Sequence, residues 1–320
     1  MISEPVALVL ACAVDAALGD PRWLPHPVVL MGRMIERTEA MLRQRAGDLR
    51  KGGVVLALVV VSAAGLSAYA AQRLLMLPSG GPAAAIAAIA YVYLVSTTIA
   101  CRGLLESVRE VLAEDEINAA REKLSHIVGR DTSGLDRDGI RRAALETLAE
   151  NASDGIIAPL FYFAIGGLPL AFMYKAANTL DSMVGYRNER YRELGWASAR
   201  LDDFMNYLPS RITGLLISAA AGFVDGAQAA RAMSIMMRDG RKHKSPNAGI
   251  PEAAMAGALG IRLGGPSSYN GEIVDKPWIG DDKQEGYEGK SGPALRLVST
   301  ASLMGMGLAI SGTLMRTYIW

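Results

Sequence analysis

The chain has 320 residues, of which 51% are apolar and 20% charged, and its mean hydropathy is positive, which points to a membrane protein rather than an ordinary soluble domain. A net charge of +1, sparse aromatics and basic residues interspersed with acids argue against nucleic acid as a partner. The two cysteines, Cys12 and Cys101, sit in apolar runs, which excludes a Cys-based zinc site and gives no disulfide framework.

In chain order, the N-terminal run "MISEPVALVLACAVDAALGD" lacks a basic leader and carries Asp15 inside its apolar stretch, so it reads as mature protein rather than a cleaved signal. As a span, residues 4–20 are equivocal, because Asp15 would be expensive in lipid. Three stretches have the roughly 20 apolar residues that a helical span needs, at 53–71, 83–101 and 297–315. Two others are equivocal. Residues 155–174 are uncharged but broken by Pro159 and by "GGLP", and residues 212–224 are short. No strand alternation and no internal repeat is found, so the expected class is all-α, a polytopic integral membrane protein forming a single domain over 1–320.

Basic residues orient the loops. Residues 31–51 carry six and 102–155 carry eight, whereas 72–82 carry only Arg73, so the first two regions are expected on the cytoplasmic side. Residues 175–211 again hold six, and 225–296 are basic around "RDGRKHK". The expected cytoplasmic helical segments are therefore 102–154, 175–211 and 225–296. A single crossing at 155–174 would put 175–211 outside, so charge and hydropathy conflict. They agree if 155–174 and 212–224 enter without crossing, as broken or re-entrant helices, with the active site on the cytoplasmic face. "ENASD" and "YKAANTLDSM" are then expected in one site.

Within 102–154, Leu104, Leu105, Val108, Val111 and Leu112 recur at helical spacing, and a second helix is expected over 139–149 with Asp136 or Asp138 as N-cap. "SHIVGRDTSG" sets Arg130 and Asp131 in a Gly-flanked loop, and "LETLAENASDG" sets Glu146, Glu150, Asn151, Ser153 and Asp154 at a helix end. Turn and capping chemistry accounts for Asp131, Thr132 and Ser153 better than for the two glutamates one turn apart. On a helix, Lys175, Asn178 and Asp181 share one face. Asp202, Asp203 and Asn206 offer oxygen ligands of the kind Mg²⁺ takes, against the plainer reading of a solvated helix stitched by ion pairs. His26, between two prolines in "WLPHPVVLMGR", is held in a fixed direction, equally consistent with an interfacial hydrogen bond. The cluster "RKHK" precedes Pro251, which suits N1 of a helix starting at Glu252, and helix N-termini with Gly-rich turns collect anions.

Six motifs, "LGDPRWLPHPVVLMGR", "SHIVGRDTSGL", "ETLAENASDGIIAPLFYFAIGG", "YKAANTLDSMVGYRNERY", "ARLDDFMNYLPSR" and "HKSPNAGIPEAAMAGALGIRLGGPSSYNG", stand in the order found in the adenosylcobinamide-phosphate synthase family of cobalamin biosynthesis, the CbiB/CobD type, which the chain resembles at close to full length. The resemblance implies a multi-pass protein of the cell inner membrane. It also implies an ATP-dependent ligase that joins adenosylcobyric acid to aminopropanol phosphate, or aminopropanol, through an acyl phosphate, with ATP and Mg²⁺ required. Under that reading Asp181, Asp202 and Asp203 would hold Mg²⁺, and Arg130, Lys175, Asn178 and Arg211 would meet phosphates. Glu146, Glu150, Asp154 and Lys175 would be catalytic. His26, Arg33, Asn151, Ser153, Tyr186, His243, Ser245 and Asn247 would contact the corrinoid or the small amine. The lipid bilayer, other corrinoid-pathway enzymes at the membrane and further copies of the chain are the partners this reading leaves open. A transporter would instead distribute its polar residues across the bilayer, and a non-catalytic sensor would lack the motif carboxylates.

Overall fold

A computed structural model of the chain describes residues 2–319 except Arg22, Ala46, Arg187, Asn270 and 282–285. Arg187, counted among the basic residues of 175–211, and Asn270 of the last motif therefore lie outside the described residues. The helices are α1 (Glu4–Leu18), α2 (Pro27–Arg45), α3 (Leu49–Leu75), α4 (Gly81–Ser96), α5 (Cys101–Leu112), α6 (Ile117–Ser125) and α7 (Arg137–Ala152). A π-helical turn (Ser153–Ile157) follows, then α8 (Ala158–Val184), α9 (Trp196–Met205), α10 (Tyr207–Ala220), α11 (Ala229–Asp239), α12 (Gly249–Leu259) and α13 (Ser291–Ile319). Four short strands, β1 (Leu263–Gly264), β2 (Ser267–Tyr269), β3 (Glu272–Val274) and β4 (Trp278–Ile279), lie between α12 and α13. The chain divides into two compact units, one of residues 1–100, 158–206 and 306–320, the other of 101–157 and 207–305.

In the first unit α3 packs on α8 and α1 on α4. Asp48 starts α3 by accepting the N–H groups of Arg50 (2.9 Å) and Lys51 (3.2 Å). Leu58 and Leu66 on α3, Ile86 and Ile89 on α4, and Leu308 and Met315 on α13 are exposed. Apolar surface of that extent on long helices suits hydrocarbon rather than water. Leu49–Leu75 and Ser291–Tyr318 are long and apolar enough to cross a membrane and contain the expected spans 53–71 and 297–315.

The span expected at 83–101 is not one helix. α4 ends at Ser96 and α5 starts at Cys101, the two being bent by 44°. The hydroxyls of Ser96, Thr97 and Thr98 donate to the carbonyls of Tyr93, Leu94 and Val95 at 2.7–2.8 Å, back-bonding that favours a bend where α4 ends. α1, with 15 residues, and α10, with 14, are both shorter than a full span.

The apolar run at 155–174 forms no straight rod. Gly166 (φ −137°, ψ 20°) and Gly167 (φ 62°, ψ −156°) break α8. Tyr162 and Tyr174, about 18 Å apart along a continuous helix, instead stack with ring centroids 5.1 Å apart and planes inclined by 15°. The chain has therefore folded back into two limbs. At the bend, Phe163's carbonyl accepts from Arg316 Nη1 (2.9 Å), and Arg316 also pairs with Glu4. A Cβ at Gly167 would meet Glu4 Oε1 at 3.0 Å in a backbone region that side chains avoid.

In the second unit α10 and α11 pack on α12, and α5 packs on α7 through the buried Val108 and Val111 of the expected periodic face. Asp136, not Asp138, caps α7 by accepting Gly139's N–H at 2.7 Å. The segment 225–296, read as helical, is not wholly so. β1 pairs antiparallel with β4 (Leu263 opposite Ile279) and β2 with β3 (Ser268 opposite Ile273). Glycines at positive φ at 264, 265, 271 and 280, with Pro266 and Pro277, stop a helix here, and strands this short carry no readable alternation.

Candidate functional site

The second unit encloses a polar cavity of about 220 Å³. Arg130, Glu146, Glu150, Asn151 and His243, all named from the sequence, line it together with Thr147, Glu252, Tyr269 and Lys276, which were not. Three stretches of chain therefore converge: the loop before α7 with α7 itself, the loop before α12 with α12, and the β2–β4 segment.

Glu146 is the hub. Its Oε2 accepts from Arg130 Nη2, its Oε1 accepts Gly264's N–H at 2.6 Å, and its side chain is 6% exposed. Only glycine serves at 264, because φ is +78° and a Cβ would lie 2.5 Å from Pro277's carbonyl oxygen. Arg130 also donates to Ser267 Oγ (3.2 Å). Burial opposes its charge, but the charge and hydrogen bond of Glu146 prevail and hold the guanidinium more basic than usual. Next to it, Asp131 accepts from Ser268 Oγ (2.6 Å) and Gly271's N–H (2.8 Å), clamping its loop to the β2–β3 hairpin.

His243 enters on a loop built by Arg211, Ser245 and Asn247. Ser245 Oγ accepts the N–H groups of Asn247 (3.2 Å) and Ala248 (3.3 Å). Arg211 donates to Asn247 Oδ1 (2.9 Å) and Pro246's carbonyl (3.0 Å). These three residues, expected to meet ligands, are engaged in shaping that loop. Ser245's own N–H donates to His243 Nδ1 at 3.0 Å. Burial and the charge of Lys276 push the imidazole's pKa down, so the ring is neutral with its proton on Nε2. Lys276 Nζ donates to Tyr269's hydroxyl at 2.5 Å.

The helix around Glu252 starts at Gly249 rather than at Glu252, so Pro251 lies inside its first turn. Glu252 is 4% exposed, and burial pushes its pKa well up, helped by the charges of Glu146 and Glu150. Asn151 Nδ2 donates back to Thr147's carbonyl (3.1 Å). Ser153 and Asp154 lie in the π-helical turn that follows α7, a distortion frequent at functional sites, and Ser153 Oγ is buried without a hydrogen-bond partner among the described residues.

The remaining named residues belong to the first unit. Lys175, Asn178 and Asp181 share a limb of α8, as their spacing requires. Asp202 accepts from Asn206 Nδ2 through both oxygens (3.0 Å each) and from Asn178 Nδ2 (3.2 Å). Burial raises its pKa to about 6 against those hydrogen bonds. Among the described residues no three His, Cys, Asp or Glu side chains gather to hold a metal ion, so Asp181, Asp202 and Asp203 do not form the expected Mg²⁺ trio. His26 Nδ1 accepts Val28's N–H (3.2 Å), and Nε2 stands 3.3 Å from Asp20 Oδ1, which gives it a place at the start of α2. Arg33 and Tyr186 are exposed.

Long apolar helices combined with a cavity lined by buried charges define a mostly helical membrane protein with a polar cavity. The chain matches the CobD/Cbib protein family over residues 8–298, and it belongs to that family. It is 50% identical over 284 residues to the cobalamin biosynthesis protein CobD of Geobacter metallireducens, covering 88% of each chain. It is 45% identical over 316 residues to the cobalamin biosynthesis protein CbiB of Salmonella typhimurium, covering 96% of each. No solved structure matches the chain.

Of the cavity residues that sequence reasoning missed, Glu252 had a signal. It is the one charged residue between Lys244 and Arg262, but a helix-start role explained it away. Lys276 and Tyr269 had none, because irregular chain brings them in.

Proposed function

We propose that this chain is an ATP-dependent amide ligase of cobalamin biosynthesis, joining adenosylcobyric acid to aminopropanol phosphate or aminopropanol at the cytoplasmic face of the inner membrane. The single observation that carries the reading is the cavity, where the "SHIVGRD", "ETLAENAS" and "HKSPNAGIPE" motifs bring Arg130, Glu146, Glu150, Asn151 and His243 together, in a chain whose relatives are named cobalamin biosynthesis proteins.

In the proposed chemistry a propionate oxygen attacks the γ-phosphorus of ATP and ADP leaves. The amine nitrogen then attacks the acyl carbon, phosphate departs, and a carboxylate takes the ammonium proton. Arg130 and His243 offer N–H donors to anionic groups, Glu146 fixes Arg130, and Glu150 and Asp154 are carboxylates that attract the amine. ATP and Mg²⁺ are the proposed co-reactants. The ion would offset phosphate charge, arriving with the nucleotide rather than on Asp181, Asp202 and Asp203.

We also infer that 155–174 is re-entrant. The fold-back at Gly166–Gly167 supports this, as does the basic content of 175–211. A cysteine placed at the exposed Ser182 should resist an impermeant thiol reagent added from outside, and labelling there would refute the topology.

Purified protein incubated with ATP, Mg²⁺, adenosylcobyric acid and aminopropanol phosphate should yield a product with the mass of the amide. No amide, alongside substrate uptake into proteoliposomes, would sink the ligase in favour of a transporter.

A further inference from the structure

The cavity lining holds three carboxyl groups, Glu146, Glu150 and Glu252, with the cations Arg130 and Lys276 and a neutral His243. Glu146 and Arg130 answer each other directly, and Arg142 stands 4.0 Å from Glu146. Glu252 is set apart by its geometry. It is almost wholly buried on α12, lines the cavity, and among the described residues makes no side-chain hydrogen bond. An ionised carboxylate in that position is costly unless a cation meets it.

We propose that Glu252 binds the ammonium group of the small amine substrate and accepts its proton. This rests on the ligase reading and adds the cavity's ligand class: a compact primary ammonium, not the nucleotide or the corrinoid. A volume of about 220 Å³ is below the roughly 300–1,000 Å³ of drug-sized ligand sites, and so takes a molecule of few heavy atoms. Lys276, Arg130 and the Nε2–H of His243 suit an anionic substituent on the same molecule.

The proton balance is explicit. In the empty cavity burial and the charges of Glu146 and Glu150 raise Glu252's pKa, against the pull of Lys276 and Arg130, which favours the protonated acid. The incoming ammonium displaces that proton to solvent and pairs with the carboxylate. In the reaction one ammonium proton moves to Glu252, and the nitrogen lone pair forms the bond to the acyl carbon. The carbon–oxygen bond to phosphate then breaks, and phosphate leaves with the electron pair and the second nitrogen proton.

Calorimetry on the full-length protein in detergent at pH 7, with 1-aminopropan-2-ol and its phosphate ester as probes in two buffers of different ionisation enthalpy, tests this. Wild type should release about one proton per amine bound. Glu252→Gln should bind at least tenfold more weakly and release none, and Glu252→Asp should recover part of both. Unchanged affinity or proton count in Glu252→Gln overturns the proposal, as does proton-neutral binding, or no binding, in wild type; the wild-type measurement decides even where a variant fails to fold. Amide formation by Glu252→Gln at the wild-type kcat/KM would remove Glu252 and leave the ligase standing. Proton-linked amine binding by a wild type that makes no amide would do the reverse.

Discussion

Asp202 in the first unit and Glu146 in the second both read in the sequence as carboxylates beside polar partners, and the structure uses them in opposite ways. Asp202 is surrounded by neutral amides, Asn206 and Asn178. Glu146 is paired with a guanidinium and a backbone N–H at the wall of a cavity. Burial, with the neighbouring charge of Asp203, raises Asp202's pKa to about 6 against those amide hydrogen bonds, which satisfy lone pairs without supplying charge. Arg130 supplies charge, which keeps an ion pair beside a space where a ligand can feel it. A buried acid thus gains a chemical role from what it faces rather than from its type.

The largest effect that would break this comparison is removal of half the ion pair. Glu146→Ala or Arg130→Ala strands a buried charge and should cost about 3–5 kcal/mol, read as thermal unfolding by circular dichroism in detergent, together with loss of amide formation. The double replacement Arg130→Met with Glu146→Met should be milder than either single. If the singles melt like wild type, the hub assigned to Glu146 is wrong.

Next comes the pH response of Asp202. Its folded pKa lies above the ordinary carboxylate value, so between pH ~4 and ~6 the folded state keeps a proton that the unfolded chain has released. Stability should therefore fall as pH rises through that window and level off above it, by on the order of 3 kcal/mol. Asp202→Asn should flatten that slope. A slope that survives the substitution assigns the proton elsewhere.

Gly167→Ala forces a side chain into a left-handed backbone and should cost about 1–2 kcal/mol, mainly loosening the fold-back. A double electron resonance distance between labels on the two limbs that stays unchanged, with no loss of stability, would show that the bend does not need glycine. The smallest effect expected is that of Ser245→Ala, about 1 kcal/mol for the lost loop hydrogen bonds. Its more telling readout is His243, whose nitrogen chemical shifts should report a changed hydrogen bond at Nδ1.

Much of the fold was legible because it depends on local pattern. α3 and α13 follow from long uncharged runs, α5 from three- and four-residue spacing, and the cap at Asp136 from residue type. Charge counting also exposed the conflict at 155–174, where hydropathy alone suggested a crossing. The early end of α4 was harder, because three hydroxyl residues inside an apolar run look lipid-compatible and still favour a bend by bonding back to the helix.

The site divides along the same line. Sequence by itself determined the helical class, the long apolar segments and five of the cavity's residues, because hydropathy and helical period are properties of neighbours along the chain, and long motifs carry the family resemblance. Only tertiary structure could add Glu252, Lys276 and Tyr269 to Arg130 and Glu146, or seat Asp202 between Asn178 and Asn206. Those assignments depend on which groups separated by tens to more than a hundred residues come within hydrogen-bond or Coulomb range, and on whether a cavity adjoins them. Chain folding decides both.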